Sequence, residues 1–456
     1  MGKDIFNSKE LDILRKAVDK IETISGRNLV RSESIQNIIS IVEKFIREKK
    51  LICYGGTAIN NILPKEDQFY NLNIEIPDYD FFSTNPIKDA KQLADIYYNA
   101  GYTEIEAKAG LHDGTYKVFV NFIPVADITY LNHELFSSLK NNAIKINGIL
   151  YTPPDFLRMS MYLELSRPLG DISRWEKVLK RLFLLNKHYP LNNPKCKNLN
   201  FMRNFQGSKN DSKNLYNILK SGLVNQGVVF FGAFASSLYN KYYKTVNFNK
   251  KSPDFDVLSE DPKTTSIIMK ERLEENGFNN IHIYKKPGIG DIIASHYELV
   301  YNDESLVYIY KPMACHSYNI IKINNMNFKV ASIDTIMSFY LAFIFSNRKY
   351  YDHNRIYCIA QFLFNIQKKN RFNQNGLLKR FNFKCYGKQK TMEDIRNFKS
   401  QKYNELKEKK NIKEYEKYFL KYTPNTSEIK CKKNTQKKQK NKKSVKNKKS
   451  VKNKKR

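Results

Sequence analysis

An internal duplication constrains this chain more than any other feature. Val228-Val229-Phe230-Phe231-Gly232-Ala233-Phe234-Ala235 follows the pattern of Leu51-Ile52-Cys53-Tyr54-Gly55-Gly56-Thr57-Ala58. Pro253-Asp254-Phe255-Asp256 follows that of Pro77-Asp78-Tyr79-Asp80. A helix-like stretch at 263–276 closes on Asn-Gly-Phe, as 86–100 closes on Ala-Gly-Tyr. Pro312-Met-Ala-Cys-His-Ser-Tyr318 echoes Pro124-Val-Ala-Asp-Ile-Thr-Tyr130, and Met337-Ser-Phe-Tyr-Leu341 echoes Met159-Ser-Met-Tyr-Leu163. Five matches in one order, at offsets of 176–188, mark two copies of one unit over about 45–165 and 222–345. A chain of 456 residues has room for both and for extensions.

Local patterns make each copy an α/β unit. Residues 8–25 and 33–49 read as helices, and in the second Ile35, Ile38, Ile39, Val42, Phe45 and Ile46 recur with helical period. Leu51-Ile52-Cys53-Tyr54 is a short apolar run that meets Gly55-Gly56, and a helix-like Thr57–Leu63 stops at Pro64. The stretch 72–82 alternates as a strand does, 86–100 reads as a helix ending at Gly101, and strands are expected near 115–122 and 123–130. Helices return at 153–166 and 173–188. The division expected is N-terminal helices over 1–49, a first unit over 50–165 and a helical connector over 166–221. A second unit over 222–345, a C-terminal extension over 346–424 and a tail over 425–456 follow.

The chain carries 78 Lys and Arg against 45 Asp and Glu, a net charge of +33. Such a charge favours a polyanionic partner and disfavours a cationic one. From Lys430 to Arg456 there are 15 basic residues and no acid, which leaves +18 on the rest. Ser-Val-Lys-Asn-Lys-Lys occurs twice there, at 444–449 and 450–455. The low complexity predicts a disordered basic tail over 425–456, suited to salt-sensitive contact with RNA or to nuclear targeting. The longest apolar runs, such as Ile336–Phe345, have about half of the ~20 residues a membrane span needs. Six cysteines show neither CxxC pairs nor zinc spacing, so free thiols in a reducing compartment are expected.

Asp78 and Asp80 flank Tyr79 on the expected strand, so both carboxylates face one way. Paired carboxylates are held as anions by a cation, and hard oxygen ligands suit Mg²⁺ or Mn²⁺. Gly55-Gly56-Thr57, between strand and helix, suits backbone N–H contacts to phosphate. Asp127 sits among Val125, Ala126 and Ile128, where a carboxylate needs a partner or a metal. Arg174, Lys177 and Arg181 share one helical face and could hold a triphosphate or RNA. The second copy has Ala233, Phe234 and, by this alignment, Cys315 in place of Gly56, Thr57 and Asp127, and is expected to be catalytically dead.

The order Gly-Gly-Thr, Asp-x-Asp, then a lone strand aspartate resembles the DNA polymerase β-like nucleotidyltransferase superfamily. Tyr54-Gly55-Gly56-Thr57-Ala58-Ile59, Ile76-Pro77-Asp78-Tyr79-Asp80-Phe81-Phe82-Ser83 and Val125-Ala126-Asp127-Ile128-Thr129-Tyr130 are similar to poly(A) polymerase catalytic subunits of large cytoplasmic DNA viruses. The mimivirus type is nearest, with poxvirus and asfarvirus types more distant, and the resemblance covers about 1–345. It implies an α/β (α+β) fold, with a tandem duplication of a nucleotidyltransferase-type mixed-sheet domain. It implies template-free addition of AMP from ATP to an RNA 3′ end. Asp78, Asp80 and Asp127 would be catalytic and would hold two divalent ions. Gly55, Gly56 and Thr57, with Arg174 and Lys177, would bind the nucleotide. A homodimer, a processivity partner, and a place in the virion and host cytoplasm also follow from the resemblance. A uridylyl- or CCA-adding transferase and a non-catalytic RNA-binding scaffold stand as alternatives.

Overall fold

The computed structural model describes residues 8–71, 73–198, 201, 205, 209–243, 253–409 and 412–424. The expected disordered tail lies outside them. Two helices, α1 (Ser8–Val30) and α2 (Glu33–Lys49), lead in. Ser32 caps α2 by accepting from the Ile35 N–H, and the stripe Ile35, Ile38, Val42, Phe45, Ile46 is buried, with Phe45 against Phe81. Each such side chain contributes roughly 1.5–3 kcal/mol as an upper figure.

The first sheet is built from β1 (Ile52–Cys53), β2 (Tyr79–Ser83), β3 (Ile105–Ala109), β4 (Thr115–Val120), β5 (Ile123–Tyr130), β6 (Ile144–Ile146) and β7 (Ile149–Tyr151). Helices α3 (Gly55–Ile62), α4 (Pro86–Asn99), α5 (His133–Asn141) and α6 (Pro154–Leu165) intervene or follow, and α7 (Trp175–His188) and α8 (Lys209–Asn225) come next. The second sheet has β8 (Val229–Phe231), β9 (Phe255–Leu258), β10 (Ile281–Lys286), β11 (His296–Tyr301), β12 (Glu304–Tyr310), β13 (His316–Ile323) and β14 (Met326–Ala331). Its helices are α9 (Gly232–Leu238), α10 (Pro262–Glu275) and α11 (Ile333–Phe343), and α12 (His353–Lys369) follows. Helix α8 packs on α10 and β14 of the second sheet's layer. The C-terminal stretch adds β15 (Cys385–Tyr386), α13 (Met392–Lys409), α14 (Ile412–Phe419) and β16 (Lys421–Tyr422).

Among the described residues each sheet has eight strands, ordered β16-β3-β4-β5-β2-β1-β7-β6 and β10-β11-β12-β9-β8-β14-β13-β15. The parallel pairs β2–β5 and β1–β7 recur as β9–β12 and β8–β14, and antiparallel β1–β2 recurs as β8–β9. This is the mixed α/β, duplicated architecture expected. Helices α6 and α11 end the two units and pack on each other. The C-terminal stretch adds one strand to each sheet: β15 beside β13 and β16 beside β3.

Three expectations need correction. Only Tyr79–Ser83 of the 72–82 stretch joins a sheet, extending to Ser83; a turn closed by the Ile74 N–H on the Asn71 carbonyl precedes it, and Pro77 has no N–H to give. The equivalent of β5 is β12, not β13, so the 312–318 match to 124–130 is out of place. Four cysteines are not free: Cys196 pairs with Cys358 and Cys315 with Cys385, leaving buried Cys53 as the free one among the described residues. The partners lie 162 and 70 residues apart, so no local spacing announces them.

Candidate active site

The strand β1 runs straight into α3 through Gly55. The Tyr54 N–H donates to the Asp80 carbonyl at 2.9 Å, fastening the turn to β2. Gly55 has φ +71°, and a Cβ there would stand 2.6 Å from Asp80 Oδ2. Glycine therefore both makes the turn and leaves room for the carboxylate.

Asp80 is directly opposite Asp127 across the parallel pair β2–β5. Asp127 is in turn opposite Lys117 across β4–β5, and the Lys117 ammonium donates to Asp127 Oδ2. The other oxygen, Asp127 Oδ1, is buried and has no hydrogen-bond partner. Asp78 stands just before β2 at the exposed mouth of the site. Desolvation against the protein wall, then the charge of Asp127, push its carboxyl above the usual range. Burial, then Asp78 and Asp127, push Asp80 up to about 7, with Lys117 and Arg174 opposing. Three aspartates thus crowd one another, and an added cation would relieve them.

The remaining expected site residues divide. Thr57 is buried, and its hydroxyl donates to the Asp78 carbonyl at 2.6 Å, where a phosphate contact was expected. It positions the backbone of the aspartate. Gly56 is approached by Arg181: a Cβ there would lie 3.0 Å from both terminal guanidinium nitrogens and 2.3 Å from Tyr70 Oη. Arg181 also donates to Tyr70 Oη at 2.7 Å and stacks 4.7 Å over Phe69. Buried Asn60 holds this segment by accepting from the Phe69 and Tyr70 N–H groups at 2.8 and 2.9 Å. Arg174 is exposed, lies 3.2 Å from Glu164, and its charge reaches Asp80. Lys177 is exposed on α7, and among the described residues no hydrogen bond or ion pair joins it to the carboxylates.

Lys117 and Tyr70 were not singled out from the sequence. Strand alternation would have put Lys117 on the carboxylate side only with the β4–β5 register in hand. No three His, Cys, Asp or Glu side chains among the described residues form a ready metal cage. Lys117 occupies one Asp127 oxygen here. The orphaned Asp127 Oδ1 and the mutual repulsion of the three carboxylates nonetheless fit a divalent cation.

The second unit keeps the turn and loses the cluster. Gly232 has φ +78°, and a Cβ there would meet Asp256 Oδ2 at 2.1 Å. The residue opposite Asp256 is Tyr308, not Cys315, and Tyr308 donates to Glu298 at 2.8 Å. Phe234 packs between Phe230 and Phe255, each at 5.1 Å. Asp254 is fully buried and accepts from Arg355.

Residues 40–171 match the family described as poly(A) polymerase catalytic subunit. That stretch holds the glycine turn and all three aspartates. A relative from Acanthamoeba polyphaga mimivirus, named as a poly(A) polymerase catalytic subunit, is 34% identical over 191 residues, 41% of this chain and 32% of its own length. One of the same name from African swine fever virus (isolate Tick/Malawi/Lil 20-1/1983) is 32% identical over 180 residues, 38% of each chain. The chain spans about a third of the length of these curated relatives. The crystal structure of the Megavirus polyadenylate synthase aligns with 93% of this chain and 87% of its own, with TM-score 0.76 and 22% identity. At that identity the likeness is one of fold. The expected resemblance to viral poly(A) polymerase catalytic subunits is borne out.

Proposed function

We propose that this chain adds AMP from ATP to the 3′ end of RNA without a template, releasing pyrophosphate. The single observation that carries the reading is Asp80 opposite Asp127 across β2–β5, close to Asp78 and against the turn where Gly55 makes room for its carboxylate. Asp78, Asp80 and Asp127 would hold two divalent ions, Mg²⁺ or Mn²⁺. Bound there, such ions supply a lowered pKa for the attacking hydroxyl and neutralise charge on the leaving pyrophosphate.

The chain's own residues do the rest. The backbone at Gly55, half-buried where α3 opens, would offer N–H groups to the phosphates together with that of Gly56. Arg181, held over Phe69 at Gly56, adds fixed positive charge beside them. The charge of Arg174 also acts on Asp80. The RNA 3′ oxygen would attack the α-phosphorus, the bond to the β-phosphate oxygen would break, and the Asp127 carboxylate would take the hydroxyl proton. The second unit, without a third carboxylate, serves as scaffold. The names of the relatives as catalytic subunits support a further subunit or second copy acting beside the chain, and their viral sources support a virion or host-cytoplasm setting. No helix among the described residues is long and apolar enough to cross a membrane.

The test is extension of a labelled RNA primer by purified chain with each ribonucleoside triphosphate in turn and Mg²⁺ or Mn²⁺. Tailing with ATP alone is expected. Tailing with UTP, or limited CTP and ATP addition, would move the chain to another terminal transferase class. RNA binding with no extension by any nucleotide would make it a scaffold.

A further inference from the structure

We infer that the face formed by α7 and the segment 366–384 holds single-stranded RNA leading to the carboxylate cluster. This rests on the RNA-tailing reading above. The segment carries six Lys or Arg, three Phe and no acid. Phe372 is 84% exposed, Phe383 76% and Phe381 40%, and Phe183 on the neighbouring α7 is 59% exposed. Large aromatic rings held in water at such levels call for a partner.

The rings are mounted on a fixed frame. Arg380 donates to Asp334 through Nε at 2.9 Å and Nη2 at 2.5 Å. Asn382 donates to the Tyr318 carbonyl at 2.7 Å, and Leu377 and Leu378 are buried. Cations lie beside the rings: Arg371 is 4.4 Å over Phe372, and Lys379 is 5.9 Å over Phe383. Between the segment and α7 is a cleft of about 540 Å³, floored by Leu179, Phe183 and Phe364 and rimmed by Lys368 and Arg371.

Exposed rings interleaved with cations match one ligand chemistry best. Bases stack on the rings whatever their identity, and phosphates meet the cations. An apolar peptide would leave the cations unpaired, and a duplex would hide its base faces. The face also leads somewhere. Phe381 lies 5.9 Å from Trp175, the first residue of α7, beside Arg174 with its charge on Asp80. One helix therefore carries the aromatic face on one side and reaches Gly56 through Arg181 on the other.

The test uses the full chain and a fluorescein-labelled oligoadenylate of single-stranded RNA. In Phe183→Ala/Phe372→Ala/Phe383→Ala, oligoadenylate binding should weaken roughly tenfold or more. Primer KM should rise by the same factor, with kcat and KM for ATP unchanged. In Lys368→Ala/Arg371→Ala the slope of log affinity against log salt should fall by about 1.4. Unchanged RNA affinity in the triple variant, with circular dichroism showing the fold intact, overturns the inference. Unchanged affinity with altered sedimentation also overturns it, and assigns the face to pairing between copies. If wild-type chain binds the RNA through this face but extends no primer, the tailing reading fails and the RNA face stands.

Discussion

Arg355 on α12 donates to Asp254 at 3.0 Å, and the aspartate is fully buried. The guanidinium brings positive charge to this carboxylate inside the protein. Asp78, its counterpart by sequence, is exposed at the mouth of the first site. One acidic motif has thus become an ion pair within the scaffold, while the other faces outward.

Breaking that pair should therefore affect folding more than chemistry. Arg355→Met removes a cationic partner of a buried carboxylate and should lower unfolding free energy by about 3 kcal/mol. Urea denaturation measures the loss. Tailing at a temperature where the variant stays folded should match wild type. An unchanged denaturation midpoint would refute the structural role.

Gly55 and Gly101 separate strain from collision. Both have positive φ, +71° and +96°, but only at Gly55 would a Cβ meet Asp80; at Gly101 nothing lies within 4 Å. Each Ala substitution should reduce stability by about 1–2 kcal/mol. Gly55→Ala should also displace Asp80 and cut kcat by roughly 100-fold or more, whereas Gly101→Ala should leave kcat alone. Equal kcat values for the two variants would contradict the placing of Asp80.

Much of this site was readable before the fold. The glycine turn and Asp-x-Asp lie within one short stretch, so local pattern alone joins Gly55 to Asp80. Asp127 stood out because a carboxylate among Val125, Ala126 and Ile128 demands a partner. What stayed hidden depends on register and on distant pairing. Only the β9–β12 pairing shows that Tyr308, and not Cys315, faces Asp256. Cys315 lies just ahead of β13, and β15, from the far end of the chain, brings Cys385 to it. Arg355 and Arg181 lie about 100 residues or more from the groups they serve, and no periodicity links them.

Charge repulsion in the site predicts a stability that opposes function. Asp80 titrates near 7 in the folded chain, above its ordinary range, so the folded state holds a proton that the unfolded state has lost. Folding stability from this group is present at low pH and is lost as pH rises from about 4 through 7. At pH 8 in EDTA, Asp80→Asn should therefore melt at or above the wild-type Tm. Adding Mg²⁺ should raise the wild-type Tm more than the variant's. A variant less stable than wild type in EDTA would count against a crowded carboxylate cluster.

Two buried histidines set an acid limit from the other side. Burial pushes His316 down to about 3 and His296 to about 4, against an ordinary 6.5. The unfolded chain takes up these protons first as pH falls, so stability present above 6.5 is lost between about 6.5 and 3–4. Each histidine should cost about 2 kcal/mol on going from pH 7 to 5. Urea midpoints at the two pH values should differ less in His316→Leu than in wild type, and an unreduced difference would contradict its burial as a neutral ring.

The central claim is that one aspartate set works and its duplicate does not. Its most direct measurement is ATP-dependent extension of an RNA primer, at saturating primer, by Asp78→Asn/Asp80→Asn and by Asp254→Asn/Asp256→Asn, each checked for fold. The expected result is loss of extension by at least 1,000-fold, on the order of removing electrostatic stabilisation of the transition state, in the first pair. The second pair should keep its wild-type chemical rate. Extension that survives the first pair, or dies with the folded second pair, would contradict it.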